Sequence, residues 1–253
     1  MTSRIDATCY ADACDRIQAW AQSHTSCYVV AANVHVVMTA YWNPQYQRIL
    51  EQAALVTPDG MPLVWGLRQL GYPHQTRVYG PDLMLAWCRR TTGLQIPIYL
   101  YGGSETTLQK VSCYLKAQFP GLIVAGTHAP PFRPLTPDEE AADVERIHQS
   151  GAQVVFVALG CPKQEQWMAR QQGQLNAVMI GVGAAFRFFS GEVSQAPRWM
   201  MRWGLEWVYR FSQEPQRLWK RYFINNFAFV MLFGCQLFSH WLATLLPMKN
   251  SEE

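Results

Sequence analysis

The chain has 253 residues, of which 49% are hydrophobic and 15% charged, and its formal net charge is +3. This composition is typical of a globular protein and excludes a disordered or collagen-like chain. At about 150 residues per domain, the length predicts one core with an appendage. The seven cysteines form no C-x-x-C pair and are odd in number. They therefore favour reduced thiols in the cytoplasm over a zinc ribbon or a disulfide framework.

The order of predicted elements indicates an α/β fold. The N-terminus lacks the apolar segment of a signal peptide, so we expect none. Short β-rich runs then alternate with segments of helical period, which predicts a Rossmann-like parallel sheet with helices on both faces. The predicted strands are 27–33, 54–57, 96–101, 122–125, 153–159 and 177–182. We assign this core to residues 1–194.

Helix boundaries can be predicted from capping residues. Ser104 is expected to begin one helix. Thr136, followed by proline and then by Glu139 three residues after the cap, forms a capping box, and Gly151 marks the end of that helix. The proline-rich stretch 129–134 is predicted to be a loop.

Polar and glycine-rich residues follow five of the predicted strands. Ligands of parallel sheets bind beyond the carboxyl ends of the strands, so these residues predict a binding site. Gly102 and Gly103, before Ser104, could present backbone N–H groups to a phosphate, or could simply form a tight turn. Neither G-x-G-x-x-G nor a P-loop is present, which disfavours NAD-dependent oxidoreductases and P-loop NTPases.

Three charged residues are candidates for chemistry at this edge. Asp59 could be a general base, although an aspartate before glycine is more often a turn or N-cap residue. Arg77 and Lys163 could balance phosphate charge, or could be solvated surface residues. The sequence contains neither an Asp-x-Asp motif nor metal-ligand spacing, so we predict no metal and no cofactor.

The C-terminal residues combine positive charge with tryptophan. Residues 198–221 carry six basic and two acidic side chains, and five of the ten tryptophans fall in the last 55 residues. This combination favours an anionic membrane surface. No RNA-binding signature is present, and we expect no nucleic acid partner. The residues assigned to membrane or acceptor binding are Arg202, Arg210, Arg217, Lys220 and Arg221.

Two further features of residues 195–253, the C-terminal appendage, leave alternatives open. The stretch 227–246 is long enough to span a bilayer, or could be an interfacial or core-packed helix. Four aromatic residues recur every four positions and could instead form a helix stripe packed on the core; Arg202, Glu206, Arg210 and Glu214 could form a salt-bridged solvated face. Pro215 is predicted to separate two helices.

Several motifs together carry a family resemblance. They are Asn33-Val-His, Thr57-Pro-Asp-Gly-Met-Pro-Leu-Val-Trp65, Arg77-Val-Tyr-Gly-Pro-Asp82, Tyr101-Gly-Gly-Ser104, Gly160-Cys-Pro-Lys-Gln-Glu165, Gly181-Val-Gly-Ala-Ala-Phe186 and Ala196-Pro-Arg-Trp199 with Gly204-Leu-Glu-Trp207. In this order and spacing, the chain resembles the bacterial WecG/TagA/CpsF glycosyltransferases of family 26. The match covers residues 27–221.

The resemblance implies a transferase that uses a UDP-sugar donor and a polyprenyl-diphosphate-linked acceptor at the cytoplasmic face of the inner membrane. It implies inversion without a metal, with Asp59 as the catalytic base and Arg77 stabilising the departing diphosphate. The sugar is N-acetylmannosamine, its uronic acid or glucose, and the product is an exopolysaccharide or another cell-surface glycan. The residues expected to bind substrate are Asn33, Gly102, Gly103, Lys163, Gln164 and Glu165.

Two positions depart from the family pattern. Arg187 stands where many members carry an acidic residue, and Ala31 stands where teichoic-type members tend to carry threonine. The segment Met61-Pro-Leu-Val-Trp65 resembles exopolysaccharide members more than the common-antigen enzyme. A non-catalytic nucleotide-sugar-binding subunit of a membrane polysaccharide complex is the alternative. The sequence also leaves a homo-oligomer open.

Overall fold

A computed structural model describes residues 3–245, without the side chains of residues 221, 240 and 243–245. The strands are β1 (Cys27–Ala32), β2 (Leu55–Pro58), β3 (Ile98–Tyr101), β4 (Val124–His128), β5 (Val154–Val157) and β6 (Val178–Gly181). The helices are α1 (Tyr10–Gln22), α2 (Val34–Trp42), α3 (Pro44–Gln52), α4 (Met61–Gln69), α5 (Gly80–Thr91), α6 (Glu105–Gln118), α7 (Pro137–Gln149), α8 (Lys163–Gln171), α9 (Ala185–Phe189), α10 (Arg198–Arg202), α11 (Glu206–Gln213) and α12 (Pro215–Leu245).

The six strands form one parallel sheet in the order β2-β1-β6-β5-β3-β4, which confirms the predicted α/β fold. β5 and β6 are buried along their whole lengths, as their continuous apolar runs predict. Because all pairs are parallel, the carboxyl ends of the strands meet at one edge of the sheet. The loops that leave this edge carry the predicted site residues.

The strand bounds differ most from prediction at β4. This strand runs over Val124–His128 instead of 122–125. It lies at the edge of the sheet and all of its residues are only partly buried, and the apolar run over 122–125 overlaps only its first two residues. The strand predicted over 153–159 is also too long, since β5 ends at Val157.

The predicted helix caps are confirmed. The Ser104 hydroxyl oxygen accepts a hydrogen bond from the Thr107 N–H at 3.1 Å. The capping box is complete, because Thr136 Oγ1 accepts from the Glu139 N–H and Glu139 Oε2 accepts from the Thr136 N–H. Gly151 follows this helix with φ near +70°, a left-handed conformation that favours glycine.

Two apolar layers cover the sheet. Alternate strand residues point to opposite faces, so Val29 packs in one layer and its neighbour Tyr28 in the other. Helices α1, α5 and α6 cover the first face, and α2, α3, α7 and α8 cover the second. Phe229 of α12 joins the second layer, so part of the last helix packs on the core.

The interpretation of the aromatic repeat as one packed helix is wrong. The chain turns at Gly204, where φ is +71°, and this turn separates α10 from α11. Trp199 and Trp203 are 59% and 73% exposed, so they do not pack on the core. The predicted break at Pro215 is confirmed, because α12 begins there.

Helix α12 contains the predicted apolar stretch as far as Leu245, and residue 246 lies outside the described residues. By length and composition, the segment Pro215–Ser239 is a candidate membrane span with a mean hydropathy of 1.3. Only 11% of its most apolar window is buried against the protein, which disfavours a helix packed entirely in the core. The large exposed side chains of α12 are Trp219, Phe223, Ile224, Phe227, Val230, Met231, Phe238, Trp241 and Leu242.

Candidate active site

A cavity of about 1310 Å³ opens at the carboxyl edge of the sheet, between the strand ends and the appendage. Its walls bring together side chains from loops that are far apart in the sequence. The predicted substrate or catalytic residues that line it are Asn33, Asp59, Arg77, Gly103, Lys163, Gln164 and Glu165. The appendage closes the other side with residues of α11 and α12.

Asp59 follows β2 and is nearly buried. Its backbone N–H donates to the Ala32 carbonyl at 2.8 Å, and its Oδ2 accepts from the Gly80 N–H at 3.3 Å. Gly60 is the N-cap of α4 and no side chain caps that helix, so the alternative of an N-cap aspartate is wrong. Burial raises the pKa of Asp59 to about 6 even though Arg77 lowers it, which leaves a basic carboxylate that is mostly ionised at neutral pH.

Arg77 lies beside Asp59, and its guanidinium is the centre of a small polar cluster. Its Nη2 contacts Asp59 Oδ1 at 3.1 Å and Glu206 Oε2 at 2.6 Å, and its Nε donates to the Asp59 carbonyl. The guanidinium also lies 4.0 Å from the centre of the Tyr79 ring. Its Nη1 has no hydrogen bond to any residue in the described part of the chain, so this nitrogen can meet a ligand. The alternative of a solvated surface arginine is wrong, since the side chain is only 15% exposed.

Asn33 ends β1 and begins α2. Its Oδ1 accepts hydrogen bonds from the backbone N–H groups of His35 and Val36 at 3.0 and 3.3 Å. This cap fixes the side chain at the rim of the cavity. With the oxygen occupied, the amide nitrogen is the group that Asn33 can offer to a ligand.

Gln164 and Glu165 occupy the cavity floor at the start of α8. Gln164 Oε1 accepts from the Gly183 N–H at 3.0 Å, and its Nε2 donates to Glu165 Oε1 at 3.1 Å. Gly181 makes room for this amide, because a Cβ there would lie 2.4 Å from Gln164 Nε2. Glu165 is buried, and burial raises the pKa of its carboxyl.

Gly102 and Gly103, which follow β3, have different roles. Gly103 lines the cavity, whereas Gly102 does not. The Gly102 N–H donates to the His128 carbonyl at 2.9 Å, so it is not available to a phosphate as the glycine-rich turn suggested. A Cβ on Gly102 would lie 2.8 Å from the Ala158 carbonyl oxygen, and this close approach explains the glycine. Lys163 is exposed at the cavity mouth.

The basic residues assigned to the membrane lie in two places. Arg210 and Arg217 line the cavity, where Arg210 Nε is buried and has no hydrogen-bond partner among the described residues. Arg202 and Lys220 are exposed on the outer surface. The side chain of Arg221 lies outside the described residues.

Arg187, the departure from the family pattern, also lines the cavity. It contacts Glu214 at 3.2 Å, and Arg217 contacts the same carboxylate at 2.6 Å. The alternative of a solvated, salt-bridged helix face is therefore wrong for Glu214, because this side chain pairs with Arg187 of the core. Arg187, Arg210 and Arg217 thus bring three guanidinium groups to one wall of the cavity, where Glu214 and Glu192 are the neighbouring carboxylates.

Glu206 is the site residue that sequence reasoning missed. The sequence offers it only the alternative of a solvated salt-bridged face, but its side chain is 13% exposed and contacts Arg77 and Tyr79. Its position in the Gly204-Leu-Glu-Trp207 motif was the available signal. Within residues 3–245, no three His, Cys, Asp or Glu side chains lie close enough together to hold a metal ion.

Comparison with known proteins agrees with this geometry. The family described as "Glycosyl transferase WecG/TagA/CpsF family" matches residues 1–242. The chain belongs to this family. It is therefore a glycosyltransferase, and the resemblance based on the quoted motifs is confirmed.

A relative from Bacillus spizizenii (strain ATCC 23059 / NRRL B-14472 / W23) is 32% identical over 195 residues, which cover 77% of this chain and 74% of the relative. That protein is named N-acetylglucosaminyldiphosphoundecaprenol N-acetyl-beta-D-mannosaminyltransferase. Its name describes a transferase that acts on a lipid diphosphate sugar.

Proposed function

We propose that this glycosyltransferase moves a sugar from a UDP-sugar to a polyprenyl-diphosphate-linked saccharide, in the synthesis of an exopolysaccharide or another cell-surface glycan. The observation that supports it best is the buried Asp59 carboxylate, 3.1 Å from Arg77, in a cavity whose wall carries Arg187, Arg210 and Arg217. A base and a cation side by side are what a transfer from a diphosphate to a hydroxyl group requires.

The chemistry follows from the two side chains. Asp59 takes the proton from the acceptor hydroxyl as its oxygen attacks the anomeric carbon, and the bond from that carbon to the diphosphate oxygen breaks. A single displacement of this kind inverts the anomeric configuration. The UDP leaves with the bonding electron pair, and Arg77 Nη1 is placed to donate to it. Arg187, Arg210 and Lys163 add positive charge, and we therefore propose that no metal is needed.

The identities of the substrates rest on the relative. Its name contains an N-acetylglucosaminyl-diphospho-lipid acceptor and an N-acetylmannosaminyl donor group. We propose an acceptor of the same class for this chain. N-acetylmannosamine is the first donor sugar to test, because the name of the relative contains it. Its uronic acid and glucose follow, because Ala31 lines the cavity where teichoic-type members tend to carry threonine.

The appendage (195–253) supplies the membrane contact in this proposal, as a unit distinct from the core (1–194). Its exposed aromatic residues suit the interface of a bilayer, and its basic residues suit anionic lipids. Because positive flanks favour the cytoplasmic side, we place the enzyme at the cytoplasmic face of the bacterial inner membrane. It is held there peripherally or by an inserted α12.

The experiment is a donor panel. Purified protein in detergent is mixed with UDP-N-acetylmannosamine, its uronic acid form or UDP-glucose, with or without a short-chain polyprenyl-diphosphate N-acetylglucosamine, and UDP release is measured. Acceptor-dependent release that persists in EDTA, with an inverted linkage in the product by NMR, is the expected result. Binding of UDP without release from any donor would favour the non-catalytic subunit.

A further inference from the structure

The appendage and the catalytic core meet at one carboxylate. Glu206 is the first residue of α11, a helix in which no residue is buried. Its Oε2 accepts from Arg77 Nη2 at 2.6 Å, and its Oε1 accepts from the Tyr79 hydroxyl at 3.1 Å. The side chain thus reaches from a surface helix to the arginine that contacts Asp59.

The turn before α11 explains how Glu206 is placed. Gly204 has φ near +71°, and a Cβ there would lie 2.7 Å from the Trp65 ring and 3.3 Å from Met61 Cβ. Both neighbours belong to α4, which follows the loop that carries Asp59. A side chain at this position would push α11, and Glu206 with it, away from the cavity.

Arg77 contacts two carboxylates, those of Asp59 and Glu206, and this arrangement affects the pKa of Asp59. Arg77 alone favours the ionised form of Asp59 and lowers its pKa. The negative charge of Glu206 acts in the opposite direction and raises the pKa of Asp59. The other groups that face Asp59 are the Gly80 N–H and Tyr79 from the chain around the start of α5, and Tyr10 from α1.

We propose that Glu206 is a positioning residue that holds Arg77 and Tyr79 in place beside Asp59. This role rests on the proposed function, in which Asp59 is the base. Loss of the Glu206 contact would leave Arg77 held by Asp59 and the Tyr79 ring, and we expect this looser arrangement to slow transfer. The positioning role also explains why a solvent-facing helix carries a nearly buried carboxylate.

The test compares Glu206→Gln with Glu214→Gln. Both variants remove one negative charge from the appendage, but Glu214 pairs with Arg187 and Arg217 and does not contact Arg77 or Asp59. Glu206→Asp restores the charge on a shorter side chain. All variants are made in the full chain, and their folding is checked by circular dichroism.

The first measurement is a carbon-13 NMR titration of the aspartate carboxyls, with the Asp59 signal assigned by its absence from Asp59→Asn. The pKa of Asp59 is about 6 in the wild type. We expect it to be lower in Glu206→Gln and unchanged in Glu214→Gln. An unchanged pKa in Glu206→Gln would overturn the inference. This measurement needs no turnover, so it remains decisive if no donor is accepted.

The second measurement is the pH dependence of kcat/KM with the donor and acceptor that the wild type uses. In Glu206→Gln we expect the acid limb to move to lower pH and the maximum to fall roughly tenfold, the loss expected for one hydrogen bond to a charged group. Glu206→Asp should restore the limb. A fall in rate with no shift of the acid limb would mean that Glu206 has a structural role only. Tighter UDP binding with faster transfer would mean that Glu206 masks the site. Either result overturns the inference. An inactive wild type would contradict the proposed function instead.

Discussion

The core and the appendage use the same residue types in opposite ways. In the core, Trp87 and Phe156 are fully buried between the sheet and its helices. In the appendage, Trp203 is 73% and Phe227 is 71% exposed. Exposed aromatic residues in such number are unfavourable in water, so this surface indicates a second contact, whereas the core is already packed.

The appendage is nevertheless joined to the core. Phe229 packs in the apolar layer under α2, and Asn225 Nδ2 lies 2.8 Å from His35 Nδ1. Phe233 packs against Gly66 of α4, where a Cβ would lie 3.0 Å from its ring. One face of α12 therefore stabilises the cavity wall, and its opposite face is exposed, which is the face we propose for membrane contact.

The sharpest way to separate the two regions is to remove apolar side chains from the outer face of α12. Phe223→Ser with Phe227→Ser should weaken binding to anionic vesicles about 100-fold, since burial of a large apolar side chain contributes about 1.5 kcal/mol or more. Vesicle sedimentation measures the change. Transfer to a short, water-soluble acceptor should be retained, and an equal loss in both assays would contradict the division of roles.

Within the core, Arg77→Lys should lower kcat by about 10- to 100-fold, because lysine cannot bond Asp59 and Glu206 and still offer a nitrogen to the diphosphate. The matched control is Arg198→Lys, which changes an exposed arginine that pairs with Asp82 at 2.6 Å. Steady-state kinetics with a saturating donor distinguish the two variants. Equal rates in Arg77→Lys and wild type would exclude Arg77 from the reaction.

The smallest predicted effect concerns two glycines with positive φ, Gly102 and Gly151. Gly102→Ala should destabilise the fold by about 2 kcal/mol, because φ is +112° and the new Cβ would meet the Ala158 carbonyl oxygen at 2.8 Å. Gly151→Ala also has a positive φ but has open space around its Cβ, so it should cost only about 1 kcal/mol. Urea unfolding measures both changes. A Gly102→Ala variant as stable as wild type would show that the turn relaxes easily.

The same comparison shows what could be predicted from the sequence. Six strands in a parallel sheet follow from apolar runs that alternate with helical segments, because a strand buried on both faces leaves a clear pattern. At edge strand β4 the apolar run covers only the first two residues, so the predicted bounds are shifted. In the appendage, a four-residue aromatic period leaves one packed helix open as an alternative, but the left-handed turn at Gly204 breaks it.

The site residues also differ in how far they could be predicted from the sequence. Asp59 can be identified because its motif follows a strand end, whereas Arg77 lies between two helices and is identified through the family resemblance. For Glu206, helix spacing offers only the alternative of a solvated face, because it gives neighbours on the same helix. Its true partner, Arg77, is 129 residues away in the sequence, and only the tertiary fold brings them together.

The central claim is that Asp59 is the base of a sugar transfer. The direct measurement is product formation by mass spectrometry, with a UDP-sugar and a polyprenyl-diphosphate N-acetylglucosamine, for wild type, Asp59→Asn and the exposed control Asp138→Asn. We expect Asp59→Asn to lose about 10²- to 10⁴-fold in rate while it binds UDP as the wild type does, because an amide cannot accept the proton. Transfer at the wild-type rate by Asp59→Asn would contradict the account.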